Sequence, residues 1–180
     1  MKKLLLCLMM SVVAANAAVI SLAPEDGLIS GTPGSTVGWG FNLASDPLAW
    51  TSITGVVPLG ESNPTLGLFI DLITPQGGPV FGALPPGGPD WVQAFDPLNF
   101  LGFGSYSIDP TALPGDGNTG TFLVLYETFS GNPATCGSCF LDSGVALVPF
   151  AVTVVAAPEP ASTALLGLAL MVVALRRARR

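Results

Sequence analysis

The chain has 180 residues and a net charge of −6, with no histidine and only six basic residues. All six lie at its extremes: Lys2, Lys3, Arg176, Arg177, Arg179 and Arg180. Between Ala18 and Ala157 eleven carboxylates stand without one cation, which excludes nucleic acid as a partner and any Lys or Arg salt bridge within the body.

At the start, Lys2-Lys3 is a basic region and Leu4 to Ala15 an apolar one. Ala15 and Ala17 then place small residues at −3 and −1 of a signal-peptidase site, so residues 1–17 are expected to be a signal peptide. About a dozen apolar residues fall short of the ~20 that a spanning helix needs. Cys7 leaves with this signal helix.

Residues 18–156 are expected to form one acidic domain. Most of the chain's 22 glycines and 17 prolines fall here, spaced so that no helical pattern longer than about two turns survives. Short β-type runs lie between these breakers: 19–22, 34–43, 49–57, 66–73, 91–95, 102–108, 120–129 and 145–155. Within the second run, Val37, Trp39, Phe41 and Leu43 alternate onto one face, the pattern of a half-buried strand. Asp46-Pro47, Asp96-Pro97 and Asp109-Pro110 recur as turn starts, because Asp bonds its own following backbone and Pro presets φ. These signals predict an all-β, immunoglobulin-like or jelly-roll sandwich of about seven to nine strands.

The body offers little chemistry. A Ser or Cys nucleophile has neither His nor Lys as its base, and nothing in the sequence pairs the carboxylates for glycoside hydrolysis. No catalytic residue, cofactor or resident metal is expected. Cys136-Gly137-Ser138-Cys139 lacks the βαβ frame of a redox motif and the further ligands of a zinc site. A small disulfide in an oxidising compartment is the expectation there. The loop Pro114-Gly115-Asp116-Gly117-Asn118 offers oxygen ligands for calcium, but has one carboxylate and reads better as a hairpin turn. Trp39 is assigned to the core, whereas Trp50 and Trp91, at strand starts beside Pro-rich loops, are the candidates for exposed aromatics that could meet sugar rings.

The chain closes on Pro158-Glu159-Pro160, fifteen mostly apolar residues from Ala161 to Leu175, and an arginine cluster. Fifteen helical residues rise about 22 Å against a hydrocarbon core of roughly 30 Å. Snorkelling arginines can cover part of that deficit. A single transmembrane helix with Arg176, Arg177, Arg179 and Arg180 on the cytoplasmic side leaves the acidic body outside.

This order of motif, apolar segment and basic tail over residues 157–180 resembles the PEP-CTERM sorting signal, a segment also described as an ice-binding protein C-terminal domain. No regular Thr-x-Thr face supports an ice-binding role. The resemblance implies recognition by an exosortase-type membrane transpeptidase and export in a Gram-negative bacterium that makes exopolysaccharide. Pro158, Glu159 and Pro160 would be the processing motif and residues 161–175 the membrane anchor before processing. Residues 31–43, with Pro33-Gly34-Ser35-Thr36-Val37-Gly38-Trp39-Gly40-Phe41-Asn42-Leu43, are similar to a strand common in bacterial Ig-like surface domains. Ser45-Asp46 stands where that pattern often continues to Asn.

The expected function is therefore a structural or interaction role at the cell surface or in the extracellular matrix, with signal peptidase and the exosortase as processing partners. Exopolysaccharide or other surface proteins would be its further partners. A carbohydrate- or calcium-dependent binding module is the alternative.

Overall fold

A computed structural model describes residues 20–73, 83–157 and residue 177. The expected signal peptide and most of the C-terminal segment, including residues 158–176, lie outside the described residues. Among the described residues nine strands follow one another: β1 (Ile20–Ala23), β2 (Leu28–Gly31), β3 (Thr36–Leu43), β4 (Trp50–Leu59), β5 (Gly67–Asp71), β6 (Trp91–Gln93), β7 (Gly104–Ile108), β8 (Gly117–Phe129) and β9 (Phe140–Val154).

They form two sheets. One has the order β1-β3-β7-β5, with β6 also paired to β3, and the other the order β2-β9-β8-β4. All pairs are antiparallel except β2 with β9. The long β8–β9 hairpin runs in register from Gly117↔Thr153 to Thr128↔Asp142, shifts by one residue at Phe129↔Phe140, and forms the backbone of its sheet.

The alternation in β3 sets the core. Trp39, Phe41 and Leu43 are buried and Val37 packs against them half-buried. Across the gap Phe122 and Val124 of β8 and Phe150, Val152 and Val154 of β9 face inward. Aromatic edges lock the layers together: Trp39 meets Phe122 at 5.1 Å and Phe150 at 5.7 Å, both edge-on, and Phe122 stacks on Phe150 at 4.2 Å. Such pairs add about 0.5–1.5 kcal/mol each beyond burial.

The chain changes sheet between β1 and β2 through a turn closed by Gly27, whose φ is +66°. A side chain there would run into the Pro149 carbonyl, so only glycine fits. The Gly27 carbonyl then accepts both the buried Trp39 Nε1–H at 2.8 Å and the Ala151 amide at 3.0 Å. One acceptor thus ties the core indole to both sheets.

Acidic side chains serve the backbone. Asp46 accepts the Leu48 amide, Asp96 that of Leu98 and Asp109 that of Thr111, as the three Asp-Pro pairs lead one to expect. Asp71 does something the sequence does not announce. Register shifts between Ile53 and Gly55 in β4, and just beyond this bulge Asp71 Oδ2 accepts the Val56 amide at 3.0 Å while Oδ1 accepts Ile73 at 2.8 Å. The carboxylate bridges the edges of the two sheets, accepting one amide from β4 and one from the end of its own strand.

Asn118, read from sequence as part of a turn, lies in β8 and is completely buried. Its Nδ2 donates to Glu61 Oε1 at 2.8 Å and to the Tyr106 hydroxyl at 3.1 Å, and its Oδ1 accepts the Asn63 amide at 2.9 Å. Strand bounds depart from expectation in the same region. β8 starts at Gly117 and β9 at Phe140, because each extends the ladder of the other beyond its apolar stretch. Strand β2 is the element not foreseen: four residues, held parallel against a partner more than a hundred residues away.

Candidate functional site

The β8–β9 connection carries the cysteine pair. Asn132 organises it: its side chain accepts the Ala134 amide at 2.9 Å and its carbonyl accepts the amides of Thr135 and Cys136 at 3.1 and 3.0 Å. Cys136 and Cys139 are not joined to each other in the structure, so the expected disulfide is not shown there. The two side chains occupy different environments. Cys139 is 5% exposed and its sulfur turns beneath the loop, 3.5 Å from the Gly131 carbonyl and 3.4 Å from that of Cys136. Cys136 stays half-buried. A hydrogen bond from Cys139, with help from the Ser138 amide, lowers the Cys136 thiol below its usual value, whereas burial pushes Cys139 up.

Trp50 and Trp91 are both half-buried. Trp50 opens β4 opposite Phe129, and Trp91 opens β6 opposite Leu43, edge-on to Phe41 at 5.6 Å. They belong to different sheets and so share no sheet face. In the loop considered for calcium, Asp116 Oδ2 accepts the Leu113 amide at 2.7 Å. The Val154 carbonyl and amide close the turn through Gly115 and Asp116. Among the described residues no three carboxylates or thiols gather as a metal site.

One surface escaped sequence reasoning. On the outward side of the four-stranded sheet, Val57, Leu123 and Leu147 stand directly opposite one another across β4, β8 and β9. The rows beside them are Gly55, Leu125 and Val145, and Leu59, Thr121 and Pro149. Val57, Leu59, Val145 and Leu147 are exposed. The signal was present as unbroken apolar runs at 122–125 and 145–150. Such runs are expected of strands apolar on both faces.

Pro158, Glu159, Pro160, Arg176, Arg179, Arg180, Ala15 and Ala17 lie outside the described residues, and Arg177 is exposed. Among the described residues no helix is long and apolar enough to cross a membrane, and the expected transmembrane helix over 161–175 lies outside them. No curated protein and no solved structure matched the chain. Residues 156–180 match the family model of the PEP-CTERM protein-sorting motif, so the chain carries a sorting signal that indicates export by an exosortase-type system.

Proposed function

We propose that this protein is a non-catalytic structural or interaction module of the cell surface or extracellular matrix of a Gram-negative bacterium. The observation that carries the reading is the sorting motif at residues 156–180 attached to an acidic two-sheet body. Residues 1–17 are removed by signal peptidase after Ala17. The apolar stretch 161–175 holds the chain in the membrane, arginines inward, until the exosortase acts at Pro158-Glu159-Pro160. The body is then a sandwich of the immunoglobulin-like or jelly-roll kind presented to exopolysaccharide or to neighbouring surface proteins. Its fold is held by burial and by carboxylate-to-amide bonds, so it needs no cation to stand in that environment.

A carbohydrate- or calcium-dependent binding role draws less support. Trp50 and Trp91 are half-buried on separate sheets, and Asp116 already serves the Leu113 amide.

Fractionation of the native organism with intact-mass measurement tests the proposal. The chain is expected in the envelope or medium, lacking its first seventeen residues. Recovery only from the cytoplasm with residues 1–17 attached overturns it.

A further inference from the structure

The two sheets differ in how their outer faces are covered. Over the five-stranded sheet the end of β6 and the segment after it lie across β3: a side chain at Gly38 would strike the Phe95 ring, and one at Gly40 the Gln93 carbonyl. The apolar residues of β5 on that side, Leu68 and Ile70, stand opposite Ser107 and Ser105, so they form no continuous patch.

The four-stranded sheet is different. Its outer face carries three consecutive rows with no charge, built on Val57, Leu59, Leu125, Val145, Leu147 and Pro149 with Leu123 at their centre. The next row, Ser52, Glu127 and Ser143, brings the first carboxylate. The rows continue on the other side through Thr119 and Ala151.

We infer that this face is a homotypic interface, on which a second copy of the chain packs sheet against sheet about a two-fold axis near Leu123. Three physical points select that occupant. First, the body carries eleven carboxylates and no cation, so two copies repel except where a face lacks charge. A two-fold axis through the Val57–Leu123–Leu147 row keeps Glu127 two rows away, at the rim. Second, rows of Leu and Val are self-complementary, as an isologous contact requires, and aligned sheets pack about 10 Å apart through such side chains. Third, the area fits a weak dimer. The three uncharged rows across three strands cover about 300 Å² at 4.8 Å between strands and about 6.8 Å between same-face residues, and the flanking rows extend the footprint to about 500 Å². A stable interface buries roughly 800 Å² per partner. Association is therefore weak in dilute solution and becomes substantial when copies share one membrane, where tethering raises local concentration to the order of millimolar. This last point rests on the surface role proposed above.

Cross-linking of the full chain in its own envelope tests the interface. Cys7, Cys136 and Cys139 are replaced by Ser and a single Leu147→Cys is introduced, with Leu68→Cys as control. The two leucines are equally exposed, at 65% and 64%, on opposite sheets. A bis-maleimide spanning about 10 Å is expected to give at least fivefold more dimer at position 147 than at 68. Adding Val57→Glu, or Leu59→Glu if the first variant loses protease resistance, is expected to abolish that dimer. Equal yields at both positions, no dimer at 147, or attachment only to a different protein overturns the inference. In a variant that also carries Ser162→Cys, a link from position 147 to 162 within one chain also overturns it, in favour of the tail as occupant. Absence of the chain from the envelope fraction instead refutes the surface role, and the same cross-linking on detergent-solubilised chain at millimolar concentration then decides the interface.

Discussion

Replacing Asn118 by leucine keeps the size of the side chain and removes every polar contact it makes. The Tyr106 hydroxyl, on a residue that is 1% exposed, loses the donor at 3.1 Å. Glu61 loses its partner at 2.8 Å and the Asn63 amide its acceptor at 2.9 Å. Glu61 and Asn63 sit near enough to solvent to recover water; Tyr106 does not. A buried polar group left unsatisfied costs about 1–3 kcal/mol, so with the weaker losses the substitution is expected to cost about 3 kcal/mol. With a urea m-value of roughly 1.5 kcal/mol/M, the unfolding midpoint of the body, residues 18–157, falls by about 2 M. Tyr106→Phe alone should cost about 1 kcal/mol. The double variant should recover about 1–2 kcal/mol of the summed loss, because the hydroxyl that Asn118→Leu strands is then gone. Additivity within about 0.5 kcal/mol, or a cost for Asn118→Leu below about 1 kcal/mol, refutes the network as a stabilising unit.

Two further outcomes follow from the loops. The Asn99 side chain and the Leu98 amide hold Asp96 below the ordinary value of 3.8, and the Thr111 hydroxyl and amide do the same for Asp109. Both are lowered on folding, so their stabilisation is complete at neutral pH and is lost as pH falls below 3.8 through the folded values. An NMR titration should show both carboxyls protonating after the unfolded-chain value, and Asp96→Asn should flatten part of the acid limb of the stability curve. Alkylation of the reduced protein near pH 8 followed by peptide mass mapping should label Cys136 well before Cys139. Its thiol is lowered and half-accessible, whereas burial raises and shields Cys139. Equal labelling rates would contradict the loop geometry.

Local chemistry explains why parts of this protein could be anticipated. An Asp before Pro reaches its own chain two residues on, whatever surrounds it, so the turns at Asp46, Asp96 and Asp109 needed no tertiary partner. The alternation of Trp39, Phe41 and Leu43 needed only one apolar side to find. The sorting motif is likewise a linear signal. The cysteine pair shows the opposite case. Spacing alone does not tell the two thiols apart; the loop built by Asn132 turns Cys139 under itself and leaves Cys136 nearer solvent.

From the chain alone came the confinement of cations to its ends, the all-β character of its middle and the motif at residues 156–180, since each is encoded in consecutive residues. Tertiary structure decided the rest. Strand β2 exists only because β9 offers it an edge. Asn118 is buried only because Tyr106 and Glu61 reach it from other segments. The outer apolar rows become a surface only when β4, β8 and β9 align in register. Contacts between distant residues depend on which strands become neighbours, and no local stretch of sequence carries that information.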